Sequence, residues 1–248
     1  MSDHELAARL ATEAGELLLA VRAELADVGI DERKSAGDKR SHDFLMQALG
    51  TERAGDAVLS EEATEEEHAN LARLTAERVW IVDPLDGTRE FGELGRDDWA
   101  VHVALWQSGE LVAGAVALPA QGVTLATPEV APPPPTAGAP RIVLSRSRPP
   151  AIALAVRDAL QGTLVEMGSA GAKVASVVQG ISDVYVHAGG QYEWDSAAPV
   201  AVAHAAGLFT SRLDGSPLRY NQADVLLPDL IVCRPELADA VLAVTTRH

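Results

Sequence analysis

Residues 80–88 read WIVDPLDGT, an apolar run that leads into two carboxylates three residues apart, Asp83 and Asp86. The apolar part predicts a strand. A proline fixes φ after the first carboxylate and a glycine frees it after the second, so both side chains can point to one place. Carboxylate oxygens with a backbone carbonyl between them, such as that of Leu85, suit Mg²⁺ better than a soft metal. The hydroxyl of Thr88 follows, where it can orient a water molecule.

Two other acidic segments strengthen this interpretation. Glu61 and Glu62 follow a short predicted strand that ends near Ser60, and residues 193–195, EWD, begin a predicted helix far downstream. Taken alone, residues 83–87 also fit an Asp-Pro turn followed by an Asp-Gly turn, which is common in loops. Separated carboxylates that converge without a metal repel one another, so convergence favours a metal site.

The remaining pattern predicts an α/β chain. An amphipathic helix begins near Glu5, with Asp3 as its N-cap, and a polar stretch at 31–42 precedes a second apolar helical pattern at 44–49. Strand-like and helical runs then alternate in the second half. The predicted strands are 58–60, 78–82, 99–106, 111–118, 142–145, 163–166, 184–187, 207–210 and 229–233; the later helices are 151–160, 170–179, 196–206 and 236–244.

A proline-rich segment, APPPP at 131–135, interrupts this pattern. Polyproline cannot pair in a central strand and is typical of a linker or an exposed hairpin tip. We therefore predict two subdomains, 1–136 with most of the metal ligands and 137–248 with the substrate contacts.

The amino-acid composition and net charge exclude several classes of function. The chain has 248 residues, 47% of them hydrophobic and 23% charged, with a net charge of −16. Such a surface repels nucleic-acid polymers and anionic membranes, and a small anionic substrate would need a bound cation. The single cysteine, Cys233, lies in an apolar run, which excludes an internal disulfide and a Cys-rich zinc site and predicts a buried thiol. No signal peptide and no long apolar run is visible, which predicts a cytoplasmic protein.

Other catalytic motifs are missing from the sequence. It has no GxxxxGK[ST], no GxGxxG after a strand, no GxSxG and no HExxH. His102 in a strand and His204 in a helix are typical of core or surface histidines rather than zinc ligands.

Three motifs together resemble the inositol monophosphatase superfamily of Mg²⁺-dependent, Li⁺-sensitive sugar and nucleotide phosphatases. They are SEE at 60–62, WIVDPLDGT at 80–88 and WDSAAP at 194–199, in matching order and spacing. The resemblance covers nearly the whole chain, from Leu6 to the C-terminal helix. It implies an αβαβα layered fold with two subdomains.

The resemblance also implies a mechanism. The expected metal ligands are Glu61, Asp83, Asp86, Asp195 and the carbonyl of Leu85, which would hold two or three Mg²⁺ ions. Thr88 is expected to hold the attacking water, with Asp43 as its partner and Glu62 as a further catalytic residue. The phosphoryl group would be displaced in line, without a covalent enzyme intermediate.

The segments GSAGAK at 168–173 and GGQYEWD at 189–195 are most similar to actinobacterial members that remove the 3′-phosphate of 3′-phosphoadenosine 5′-phosphate, leaving AMP. Ser145 and Arg146 would hold its second phosphate, and Lys173 would add a charge unless it is a solvated helix lysine. The full expected substrate-binding set is Gly87, Thr88, Ser145, Arg146, Gly168, Ser169, Lys173, Glu193 and Tyr220.

Substrate remains open at this level, because a fold and a metal motif do not fix it. Inositol 1-phosphate, fructose 1,6-bisphosphate and histidinol phosphate are used on the same scaffold by other members. A non-catalytic metal-binding protein is the alternative from another class; it would lack Thr88 or one carboxylate, and neither is missing. The family is often dimeric, so a homodimer is also expected.

Overall fold

Two five-stranded sheets with helices on both faces make up the computed structural model, which describes residues 1–69, 71–136 and 138–247. The first sheet has the order β1-β2-β3-β4-β5, with β1 parallel to β2 and the other pairs antiparallel. Its strands are β1 Ala57–Ser60, β2 Arg78–Asp86, β3 Ala100–Gln107, β4 Glu110–Leu118 and β5 Val123–Ala126.

The second sheet has the order β7-β6-β8-β10-β9. Strand β6 runs parallel to both β7 and β8, so the carboxyl ends of these three strands meet at one edge, where α/β proteins commonly bind ligands. Its strands are β6 Arg141–Ser145, β7 Thr163–Met167, β8 Val184–Ala188, β9 Phe209–Ser211 and β10 Asp229–Cys233.

The helices complete five layers. The first two lie on the outer face of the first sheet, α6 and α7 lie between the sheets, and α5 and α8 cover the outer face of the second sheet. This αβαβα arrangement confirms the predicted fold class. The helices are α1 Asp3–Glu24, α2 Ile30–Glu52, α3 Glu65–Ala69, α4 Thr88–Gly92, α5 Ala151–Leu160, α6 Ala170–Val178, α7 Glu193–Ala205 and α8 Ala238–Thr245.

The beginning of the chain differs from its prediction in two ways. Ser2, not Asp3, is the N-cap of α1, and its hydroxyl accepts a hydrogen bond from the backbone N–H of Glu5. The polar stretch 31–42 is not a separate segment but the first half of α2. The buried stripe of α2 begins with small, polar or charged residues and contains leucines only in the second half of the helix, so hydrophobic periodicity does not reveal the first half. The stripe contains Arg33, Gly37, Ser41, Leu45 and Leu49.

The proline-rich segment at 131–135 connects the two sheets outside regular structure, as predicted. It is fixed to the second sheet, because the guanidinium of Arg234 donates to the carbonyl of Pro134 over 2.6 Å. The predicted boundary between 1–136 and 137–248 falls at Ala137, outside the described residues, and stays a prediction. Cys233 is buried and free, as expected. None of the helices described is long and apolar enough to cross a membrane.

Candidate active site

Three carboxylates from two elements meet between the sheets. Asp83 and Asp86 lie at the end of β2, and Asp195 lies in the first turn of α7. Each offers one oxygen, and these oxygens all lie within 4.8 Å of one another. The strand is irregular here, since its register with β3 shifts between Asp83 and Asp86. The shift brings both side chains of β2 to the same place.

Asp86 is held by the start of α6. Its carboxylate accepts hydrogen bonds from the Ser169 hydroxyl and from the backbone N–H groups of Ala170 and Gly171, the last at 2.6 Å. Desolvation acts to raise the pKa of Asp86, but the nearby His102, the Ser169 hydrogen bond and the charge of Lys173 outweigh it and lower that pKa to about 2. Asp86 therefore stays ionised.

His102 lies fully buried beneath this cluster. Its Nδ1 donates to the carbonyl of Trp194 over 3.0 Å, and its Nε2 lies 3.2 Å from Asp86 Oδ2 without forming a well-aligned hydrogen bond. The residue contacts β2 and the start of α7 together. It therefore supports the site, which the sequence alone did not indicate.

Asp83 and Asp195, the other two carboxylates of the cluster, are buried close to further negative charges, and their pKa values are raised. Desolvation, together with the charges of Glu61, Asp86 and Asp195, raises the pKa of Asp83 well above its usual value. Desolvation and the charge of Asp86 likewise raise the pKa of Asp195 to about 6. Such a crowded set of hard oxygen donors fits a divalent cation such as Mg²⁺.

Glu61 and Glu62 follow β1; Glu61 lies beside the cluster, whereas Glu62 lies near Glu61 and Asp38. Glu61 hydrogen-bonds Asp83, and its pKa is raised to about 7 by desolvation and by the charges of Asp195, Asp86 and Glu62. The carbonyl of Leu85 accepts from the Thr88 hydroxyl over 3.1 Å. Asp83, Asp86 and Asp195 thus lie together, and Glu61 is close enough for its charge to interact with theirs. Their role as ligands, with that of the Leu85 carbonyl, is a proposal.

The expected partner of Thr88 is wrong. Asp43 is exposed and forms an ion pair with Lys39 at 2.8 Å. The carboxylate near Thr88 is that of Asp38, whose Oδ1 lies 3.3 Å from Thr88 Oγ1. Asp38 is half-buried, and desolvation and the charge of Glu62 raise its pKa to about 7.

A cavity of about 360 Å³ extends from Thr88 and Asp195. It is lined by residues from the ends of β6 and β8 and by the start of α6. Gly87 begins α4 with φ +85°, and a Cβ there would lie 2.9 Å from Ser169 Cβ, so the close approach requires glycine. Of the expected substrate residues, those that line the cavity are Gly87, Thr88, Ser145, Gly168, Ser169 and Lys173.

Several polar groups of these residues already have partners. The backbone N–H of Gly168 donates to Asp98, and the Ser169 hydroxyl is used by Asp86. Lys173 is not solvated: its ammonium group is buried, donates to the carbonyls of Gly168 and Ser169, and lies 5.4 Å from the centre of the Tyr185 ring. Lys173 therefore adds positive charge beside the cluster while its donors hold the turn before α6.

Three expected substrate residues do not line the cavity. Glu193 is fully buried and accepts from the backbone N–H groups of Asn221 and Gln222, and Tyr220 is buried with its hydroxyl 3.1 Å from that of Ser196. Arg146 is also absent from the cavity wall. Glu193 and Tyr220 instead fix the start of α7 and the loop before β10.

The sequence analysis missed several cavity residues, among them Arg148, His187 and Gln191. His187 Nε2 and Gln191 Oε1 are buried and have no hydrogen-bond partner among the described residues. Gln191 lies within the GGQYEWD segment at 189–195, and Arg148 lies two residues after Arg146. Only the fold shows that their side chains belong to the cavity.

Comparisons with known proteins agree with this arrangement. The family model described as "Inositol monophosphatase family" matches residues 3–130 and 142–247. The 3′-phosphoadenosine 5′-phosphate phosphatase of Mycobacterium tuberculosis (strain CDC 1551 / Oshkosh) is 53% identical over 242 residues, covering 93% of this chain and 88% of its own.

Two solved structures have the same fold. Inositol monophosphatase-II from Staphylococcus aureus MSSA476 superposes with a TM-score of 0.82 at 19% identity, covering 100% of this chain and 94% of its own. CysQ from Bacteroides thetaiotaomicron, a bacterial member of the inositol monophosphatase family, gives 0.76 at 28% identity, covering 92% and 96%. The chain therefore belongs to the inositol monophosphatase family.

Proposed function

We propose that this chain is a Mg²⁺-dependent phosphatase that hydrolyses the 3′-phosphate of 3′-phosphoadenosine 5′-phosphate, giving AMP and phosphate. The carboxylates of Asp83, Asp86 and Asp195, which meet beside Thr88 at one cavity, carry the proposal for the reaction. The substrate is inferred from the name of the M. tuberculosis relative, which shares 53% identity.

The carboxylates would hold two or three Mg²⁺ ions, with Glu61 and the carbonyl of Leu85 completing the donor set. Such cations supply positive charge to the transferring phosphoryl group and to the leaving oxygen. The hydrogen bonds from Ser169 and α6 fix the direction of the Asp86 carboxylate. Lys173 offsets part of the negative charge of the cluster.

Thr88 and Asp38 would orient the attacking water. When the Thr88 hydroxyl donates a hydrogen bond to the Asp38 carboxylate, the lone pairs of the Thr88 oxygen are free to accept a hydrogen bond from water. That water then presents its own lone pair to phosphorus. The Thr88 hydroxyl also lies 3.1 Å from the carbonyl of Leu85, which is a competing acceptor. Asp38 competes well with this carbonyl for the hydrogen bond only when its carboxyl group is ionised.

Phosphate release measured with Mg²⁺ across a substrate panel tests the proposal. The panel contains 3′-phosphoadenosine 5′-phosphate, inositol 1-phosphate and fructose 1,6-bisphosphate. We expect the adenosine bisphosphate to give the highest kcat/KM. A preference for either other substrate would reject the assigned substrate and retain the metal-dependent reaction, whereas no release with any would reject catalysis.

Three further properties belong to the proposal: a homodimer, a cytoplasmic location and inhibition by Li⁺. A homodimer is tested by sedimentation of the purified protein, and a cytoplasmic location by fractionation of cells that express it. Inhibition by Li⁺, through occupation of a Mg²⁺ position, is tested by titration at fixed Mg²⁺. Unchanged activity across a wide Li⁺ range would count against it.

A further inference from the structure

The substrate cavity needs positive charge beyond its metal site. The chain carries a net charge of −16, and the cavity itself contains Asp86, Asp195 and Glu90. A bisphosphate brings a second anionic group, and a group that stays away from the metals must be bound by the chain itself. The candidates are the arginines near the cavity.

Arg146 cannot serve this purpose. Its Nε donates to Glu90 over 2.7 Å and its Nη2 donates to Glu93 over 2.7 Å. The guanidinium thus connects the segment after β6 to α4, and Arg146 is not part of the cavity wall. The expected assignment of the second phosphate to this residue is therefore wrong.

Arg148, two residues further on, has the opposite properties. It lines the cavity, its side chain is exposed, and its guanidinium forms no ion pair or hydrogen bond with any residue that the structure describes. Its backbone is well defined, since its N–H donates to the Ser145 hydroxyl over 3.2 Å and two prolines follow.

Arg148 shares the cavity with a second group that has no partner in the part of the chain that the structure describes. His187 lines the same cavity, and its pKa is lowered to about 4 by desolvation and by the charges of Lys173 and Arg148. His187 is therefore neutral near pH 7, and its buried Nε2 has no hydrogen-bond partner among the described residues. A cation and an unused ring nitrogen thus line the same cavity.

We propose that Arg148 binds the second, non-reacting phosphate of the substrate, with His187 Nε2 beside it. A guanidinium binds phosphate oxygens through two parallel N–H donors, which a lysine cannot reproduce. The proposal rests on the proposed function, because it assumes a substrate with two phosphates. It makes Arg148 the residue that distinguishes a bisphosphate from a monophosphate.

The test compares two substrates that differ only in the second phosphate: 3′-phosphoadenosine 5′-phosphate and adenosine 3′-monophosphate. Arg148→Ala is expected to lower kcat/KM for the bisphosphate by about 10- to 100-fold, mainly through KM, as for loss of a charged hydrogen bond. The monophosphate should change by less than about twofold, since it leaves Arg148 unused. Arg148→Lys should recover part of the loss.

Arg89→Ala is the matched control, because Arg89 is an exposed arginine of the same cavity that directly follows Thr88. It should affect both substrates by the same factor. Equal losses on both substrates in Arg148→Ala, or a selective loss in Arg89→Ala instead, would overturn the proposal. Unchanged thermal unfolding of the Arg148 variants excludes a folding defect.

Failure of the proposed function gives a different result. If the wild-type protein does not hydrolyse the adenosine bisphosphate, the same comparison is made with fructose 1,6-bisphosphate and fructose 1-phosphate. A selective effect of Arg148→Ala on that pair would keep the subsite and reject the adenosine substrate. If the wild-type protein prefers neither bisphosphate over its monophosphate, the subsite proposal is wrong.

Discussion

Thr88 and Asp38 form the contact on which the proposed hydrolysis depends, and Asp43 is its natural control. Asp38→Asn keeps the shape but cannot accept the Thr88 proton as a carboxylate does, so kcat should fall by about 10²-fold or more. Asp43→Asn removes only an exposed ion pair with Lys39 and should leave kcat within about twofold. Steady-state kinetics at saturating Mg²⁺ measure both; equal losses would contradict the assignment.

The raised pKa of Asp38 predicts a pH dependence. Asp38 must be ionised to accept the hydrogen bond from Thr88, and its pKa is raised to about 7 by desolvation and by the charge of Glu62. Activity should therefore rise with pH through this range. Glu62→Gln removes one of the two causes and should move the acid limb of the kcat/KM profile down by about half a pH unit. An acid limb that stays in place or moves up would show that Asp38 does not control it.

At the scale of elements, hydrophobic patterning predicted most strands and helices but missed the first half of α2. The reason is chemical: residues such as Arg33 and Ser41 bury polar side chains by donating to backbone carbonyls. The same helix explains the error at Asp43. Five residues on a helix of 3.6 residues per turn rotate by about 140°, so Asp38 and Asp43 cannot both face Thr88. Motif spacing alone could not choose between them.

The cavity residues show the same limit of sequence reasoning. The acidic motifs could be predicted because several separated carboxylates that converge repel one another unless a cation binds them. Arg146 and Arg148 are identical in type and two positions apart, and only their neighbours separate them. Glu90 on α4 and Glu93 directly after it pair with Arg146 and leave Arg148 free among the described residues.

The buried carboxylate of Asp183, directly before β8, pairs with Arg141 at the start of β6, and this pairing predicts an effect on stability. Asp183 is fully buried and pairs with Arg141 at 3.0 Å and with Arg234 at 2.7 Å. Asp183→Asn leaves two guanidinium groups without their anion and should lower the free energy of unfolding by about 3–5 kcal/mol. The exposed Asp27→Asn should change it by less than about 0.5 kcal/mol.

The pH dependence of this effect follows from the direction of the shift. Desolvation opposes ionisation of Asp183, but hydrogen bonds from Arg141, Thr136 and Arg234 lower its pKa well below the usual value. The stabilisation is therefore complete above about pH 4, the unfolded-state pKa, and is lost as the pH falls towards the folded-state pKa. Denaturant unfolding of both proteins between pH 3 and 7 measures it. A difference that grows as the pH falls would contradict the account.

At the scale of the whole molecule, the acidic cluster proposed to bind Mg²⁺ joins the first sheet to the helices between the sheets. Mg²⁺ should therefore stabilise the folded chain and raise its Tm, because the site exists only after folding. Asp195→Asn should reduce this rise. Without divalent cations, Asp195→Asn relieves repulsion among the clustered carboxylates. It should then raise the Tm by about 2–4 °C for each kcal/mol of repulsion relieved. Thermal unfolding in Mg²⁺ and in EDTA measures both changes in Tm, the smaller rise with Mg²⁺ and the increase without it. Asp43→Asn should show neither effect.

Product analysis in ¹⁸O-labelled water tests the central claim most directly. The protein is incubated with 3′-phosphoadenosine 5′-phosphate and Mg²⁺, and both products are examined by mass spectrometry. The account predicts adenosine 5′-monophosphate without label and phosphate with one ¹⁸O, because water attacks the 3′-phosphorus directly. Adenosine 3′-monophosphate as product, or label in the nucleoside hydroxyl, would contradict it.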